Sequence, residues 1–64
     1  MNIDVIERIL TDILIKQDDK VDIQEIMRIF ERIDDYIVFR YKNDAYFFND
    51  NGRLVDVCPG YYHE

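Results

Sequence analysis

The sequence predicts an α+β domain of two layers, an antiparallel helical hairpin packed on one face of a three-stranded antiparallel meander (ααβββ). Three observations predict it. Apolar residues recur every three or four positions up to Asp34-Asp35 and every two after it, the periods of a helix and of a half-buried strand. Asp22, with Glu25 three residues on, is the pattern of a helix start. Asn51-Gly52 between two strand-like runs is a hairpin signal, because both central positions of a type I′ turn need positive φ.

The first helix is expected over about residues 3–16. Ile3, Ile6, Ile9, Leu10, Ile13 and Leu14 share one face, and Asp4, Glu7, Arg8, Thr11 and Asp12 fall mostly on the other. Asn2 is a suitable N-cap, and acidic residues near the start and Lys16 near the end suit the helix dipole. Val5 and Ile15 stray from the stripe and read as surface residues. Gln17-Asp18-Asp19-Lys20 breaks the pattern. The second helix is expected over about residues 22–34, with Asp22 and Glu25 as a capping box and Val21 and Ile26 at the staple positions. Ile23, Ile26, Met27, Phe30 and Ile33 form its apolar face. The short connection implies that the helices are antiparallel.

Strands are expected at about 36–41, 45–50 and 53–58, followed by a tail at 59–64 that begins with the strand-breaking Pro59-Gly60. A first turn centred on Asn43-Asp44 sets Tyr41 against Tyr46 and Phe39 against Phe48. A two-residue turn at Asn51-Gly52 sets Asp50 against Arg53, Phe48 against Val55 and Tyr46 against Val57. One sheet face then carries Ile37, Phe39, Tyr41, Tyr46, Phe48, Val55 and Val57, and the helices are expected to cover it. The other face carries Tyr36, Val38, Arg40, Lys42, Ala45, Phe47, Asn49, Leu54, Asp56 and Cys58, with Arg40, Phe47 and Asp56 in one row.

Composition narrows the function. A chain of 64 residues is read as a single domain (1–64), and one of this size buries only about 60% of its unfolded surface. Cys58 is the only cysteine, so no disulfide framework supports it and a reduced, cytoplasmic setting fits. Fourteen acidic against eight basic residues give a net charge of −6, which disfavours direct binding to nucleic-acid phosphates. The N-terminus lacks a signal-peptide pattern, and Ile13-Leu14-Ile15 is far short of the roughly 20 apolar residues that span a bilayer, so no membrane partner is expected.

No catalytic constellation is evident. His63 sits near the chain end, where a base is poorly held, and Cys58 reads as a packing residue at a strand end. There is no serine, a single threonine and no glycine-rich phosphate loop. Asp18-Asp19 and Asp34-Asp35 match no EF-hand spacing and read as capping or loop residues, so neither a metal nor a cofactor is expected.

The expectation is therefore a small acidic non-enzymatic protein-binding module, an inhibitor or adaptor that occludes a partner protein. Its contact surface is the helix-free sheet face with the tail: Tyr36, Val38, Arg40, Phe47, Leu54, Asp56, Tyr61 and Tyr62. In size and charge the chain resembles small acidic phage-type inhibitors of nucleic-acid-handling enzymes, which implies carboxylates imitating a phosphate array. Two alternatives stand beside it. One is a nucleic-acid-binding regulator of reduced winged-helix type, reading through Gln24, Arg28, Glu31 and Arg32. The other is a homodimer sealed by Val38, Phe47 and Leu54.

Overall fold

The computed structural model describes residues 2–63. Helix α1 (Ile3–Gln17) and the short helix α2 (Ile23–Arg28) lie on one face of an antiparallel sheet. The sheet has strands β1 (Phe30–Ile33), β2 (Tyr36–Tyr41), β3 (Asp44–Phe48) and β4 (Leu54–Cys58), in that spatial order.

Helix α1 follows the apolar stripe: Ile6, Leu10 and Leu14 are buried, while Ile15 faces solvent. Asn2 stands at the N-cap but its side chain caps nothing; its Nδ2 donates instead to the Asn51 carbonyl at 3.4 Å. That bond ties the helix start to the β3–β4 loop. At the far end Gln17 Nε2 donates to the Tyr46 hydroxyl at 3.2 Å.

Helix α2 begins as expected. Asp22 Oδ1 accepts the Glu25 N–H at 3.2 Å, the forward half of the capping box. The chain has doubled back here, since Gln24 Nε2 donates to Glu7 Oε1 on α1. The helix then ends at Arg28, well short of residue 34, and Phe30–Ile33 form a fourth strand. Apolar residues at Phe30 and Ile33 fit a helical stripe and a strand alike. Pairing with the strongly strand-forming β2 decides the matter, placing Phe30 opposite Phe39 and Ile33 opposite Tyr36. Asp34 turns the chain at φ 55, a region that Asp tolerates better than most residues.

The β2–β3 turn centres on Lys42-Asn43 rather than Asn43-Asp44, and Phe39 faces Tyr46 while Ile37 faces Phe48. The pairing is displaced by two positions from the expected one, so every side chain keeps its face. Ile37, Phe39, Tyr41, Tyr46 and Phe48 accordingly form one buried cluster with Ile6, Leu10 and Leu14. Phe39 and Phe48 meet as diagonal neighbours, ring centroids 5.7 Å apart and edge to face. The Tyr41 hydroxyl is buried with no hydrogen-bond partner among the described residues.

The β3–β4 connection differs in a way that changes faces. Asn51-Gly52 is not a two-residue turn. Asn49 N–H donates to the Arg53 carbonyl at 3.0 Å and Gly52 N–H donates to the Asn49 carbonyl at 3.0 Å, enclosing Asp50, Asn51 and Gly52. Asn49 Oδ1 also accepts the N–H groups of Asn51 and Arg53, each at 3.0 Å. This is the longer hairpin that closes on a left-handed glycine, here Gly52 at φ 82. The extra residue is absorbed by a β-bulge: Phe48 faces Leu54, yet Phe47 faces Asp56 and Tyr46 faces Val57 as expected. Val55 is the unpaired residue and is exposed, so it leaves the core set, and Leu54 takes its place by packing against the buried cluster. Val57 keeps its register but lies at the sheet edge and is also exposed.

Candidate protein-interaction surface

The helix-free face is not bare. Val38 and Ala45 lie on it, and they are 1% and 0% exposed. Their cover comes from the C-terminal tail, which turns at Pro59-Gly60 and returns across the sheet. Gly60 N–H donates to Asp44 Oδ1 at 2.9 Å, and Tyr62 N–H donates to the Asn43 carbonyl at 2.9 Å. The Tyr62 hydroxyl donates to Glu31 Oε1 at 3.1 Å, and the Arg40 guanidinium lies 4.8 Å from the Tyr62 ring centroid. Arg40 is itself fixed by donating from Nε to the Lys42 carbonyl at 2.7 Å and from Nη2 to Asn43 Oδ1 at 3.2 Å.

An unbroken chain of ring contacts runs over this face. Tyr36 meets Phe47 at 6.0 Å, Phe47 meets Tyr61 at 5.6 Å and Tyr61 meets Tyr62 at 5.1 Å, all near-perpendicular. Perpendicular packing sets the positive edge of one ring against the negative face of the next. Two of its rings, Tyr36 at 39% and Tyr61 at 48%, remain substantially exposed. Phe47 between them is half-buried.

The structure therefore brings together Tyr36, Val38, Arg40, Phe47, Asp56, Tyr61 and Tyr62. It corrects three details. Leu54 belongs to the helix-covered face, because the bulge inverts it. Val38 lies beneath the tail and offers no surface. The row across the sheet is Glu31, Val38, Phe47 and Asp56, while Arg40 pairs with Ala45 and stacks on Tyr62. A dimer seam of Val38, Phe47 and Leu54 is thereby broken up, since its members sit under the tail and on opposite faces. Likewise Glu31 and Arg32 lie in β1 and not on a recognition helix.

Two ionisable groups here are perturbed. Desolvation first, and then the hydrogen bond and charge of Glu31, push the Tyr62 hydroxyl above its ordinary range, with Arg40 acting the other way. Cys58 is also pushed up, by desolvation first and then by Asp56, whose Oδ2 accepts from its Sγ at 3.5 Å. A thiol held protonated beside a carboxylate is a poor nucleophile. Among the described residues no cluster of three or more His, Cys, Asp or Glu side chains is placed to hold a metal ion, and no helix is long and apolar enough to cross a membrane.

Sequence reasoning missed Glu31, Asn43 and Asp44, the anchors of the tail. Their roles depend on β1 and on the exact turn position, neither of which a linear pattern exposes. It also missed the exposure of Ile29 and Phe30, which follows from the early end of α2. No protein-family model matches the chain, and neither a curated protein nor a solved structure matches it.

Proposed function

We propose that the protein is a non-enzymatic binding module whose contact surface is the aromatic ledge of Tyr36, Phe47 and Tyr61 on the helix-free face. The observation that carries this reading is the ledge itself. Rigid, exposed rings held edge to face are the residue type that dominates protein interfaces, and they lose little conformational freedom on binding. Exposed carboxylates stand beside the ledge at Glu31, bonded to Tyr62, and at Asp56, opposite Phe47, and the chain carries a net charge of −6. A basic partner fits this combination, such as the phosphate-binding surface of a protein that handles nucleic acids. The module would act by occluding that surface.

The test is affinity capture from the cell of origin with the wild-type chain and with the Tyr36→Ala/Tyr61→Ala variant, quantified side by side. A specific protein retained by the first and lost from the second supports the reading. Equal recovery of every retained protein by both, with the variant still folded by circular dichroism, rejects the ledge as the site.

A further inference from the structure

Strand β4 is an outer strand of the sheet, with no strand beyond it among the described residues. The two-residue turn at Lys42-Asn43 makes Tyr41 and Asp44 a hydrogen-bonded pair, and the ladder alternates from there. Tyr46 therefore bonds to β2, and Val57 opposite it on β4 turns its N–H and C=O outward. Outward groups of this kind invite a strand from another chain. The side chains beside them are apolar strand formers, Val55 at 43% and Val57 at 37% exposed. The edge is nevertheless closed. The Val57 N–H donates to Asp56 Oδ1 at 2.9 Å. Asp56 Oδ2 accepts from Cys58 Sγ, so both oxygens of the carboxylate are held. The next outward position is Pro59, which has no N–H to offer. Toward the other end the bulge displaces Val55 from the ladder.

We propose that Asp56 guards this edge: by occupying the Val57 N–H it keeps β4 from pairing antiparallel with β4 of a second copy of this chain. A second copy is the occupant that the edge itself specifies. Pairing about Val57 sets that residue against its own counterpart, so one N–H and one C=O are given and received on each side. Asp56 then stands opposite Cys58 and Val55 opposite Pro59, with no charge facing a like charge across the pair. Such a pair needs both Val57 N–H groups free, and in each copy Asp56 holds its own. Asp56 is the only carboxylate on β4, and its side chain is short enough to return to the N–H of the next residue. A bond to a carboxylate is stronger than one to a carbonyl, so exchanging the first for the second gains nothing. The displaced carboxylate would also be left without its backbone donor.

The test is sedimentation velocity across a concentration series, with the wild-type chain, Asp56→Ala, Asp56→Asn and the double variant Asp56→Ala/Val57→Lys. Asp56→Ala should self-associate about tenfold or more tightly than wild type, the size expected from releasing one backbone donor on each copy. Asp56→Asn should stay close to wild type, because its amide oxygen can still accept the Val57 N–H. The double variant should return to wild-type behaviour, since a lysine on an edge strand opposes pairing. That reversal also separates edge pairing from association through misfolding, which a lysine at residue 57 does not cure. Three results would overturn the proposal: Asp56→Ala associating no more tightly than wild type, Asp56→Asn associating as tightly as Asp56→Ala, or association that persists in the double variant. The second would assign the effect to charge, and the third would place the contact away from β4.

Discussion

Replacement of Tyr62 by alanine tests whether the tail is part of the fold. The side chain makes three contacts that alanine cannot. Its hydroxyl donates to Glu31, and a hydrogen bond to a charged acceptor at a partly solvated site contributes about 1 kcal/mol. The Arg40 guanidinium over its ring contributes about 0.5–1 kcal/mol. The edge contact with Tyr61 adds about 0.5 kcal/mol. The expected loss is about 2 kcal/mol, against a total of about 3–9 kcal/mol for a domain of this length. That loss corresponds to a fall in Tm of roughly 8–16 °C. Urea unfolding followed by far-ultraviolet circular dichroism measures it directly, with the slope unchanged if the tail is docked in the native state alone. Tyr62→Phe should lose only the hydroxyl share, about 1 kcal/mol, and should show coupling of similar size with Glu31→Gln in a double-mutant cycle. A Tyr62→Ala variant within about 0.3 kcal/mol of wild type would refute the reasoning, because Val38 could not then owe its burial to the tail.

Three further outcomes follow from the geometry. The folded chain keeps the Tyr62 proton more firmly than the unfolded chain, so the stability from this tie is full below the ordinary tyrosine pKa of 10.0 and is lost as pH rises through the raised folded value. The wild-type minus Tyr62→Phe difference in stability should therefore hold steady from about pH 8 to about pH 9 and shrink by about pH 11; growth of the difference with pH would contradict the sign. Leu54→Ala should cost about 2 kcal/mol and Val55→Ala less than about 0.5 kcal/mol in the same urea assay, and the reverse order would remove the bulge. Tyr41→Phe should leave stability unchanged or raise it by about 1 kcal/mol, since the hydroxyl it deletes is buried without a partner; a loss of that size would show that the hydroxyl is bonded in solution.

Much of the fold was legible because it depends on period and parity. The core face of β2 and β3 was read correctly although the turn between them was placed wrongly, because the displacement was two residues and an even slip preserves faces. The β4 assignment failed on a single residue. Asn-Gly invites a two-residue turn, but Asn49 accepts from both Asn51 and Arg53 and stabilises a longer loop, and the bulge then exchanges Val55 for Leu54. The β1 strand was hidden for another reason: Phe30 and Ile33 satisfy both periods, and only their partners across β2 choose between them. Of the candidate surface, the residue types were visible and the cover was not. Tyr61 and Tyr62 read as tail residues, and their docking needs Glu31, Asn43 and Asp44 in places that local pattern does not specify.

These facts together explain why the interaction surface and the fold share residues. A four-stranded sheet with helices on one side leaves a second face whose interior positions, Val38 and Ala45, need cover that a third layer would normally supply. A returning tail of a few residues provides that cover with two large rings, and rings of that size do not vanish beneath one another. Their outer edges become the ledge. Cutting Phe47 or Tyr62 uncovers Val38 and confounds binding with folding. Tyr36 stands at the end of the ring chain and touches Phe47 alone, so its removal alters the surface while the tail remains pinned by Gly60 to Asp44 and by Tyr62 to Asn43 and Glu31. Tyr61 is exposed too but touches both Phe47 and Tyr62, so its removal also costs two edge contacts of about 0.5 kcal/mol each. Binding and stability should therefore separate most cleanly at Tyr36, less so at Tyr61, and not at Phe47 or Tyr62.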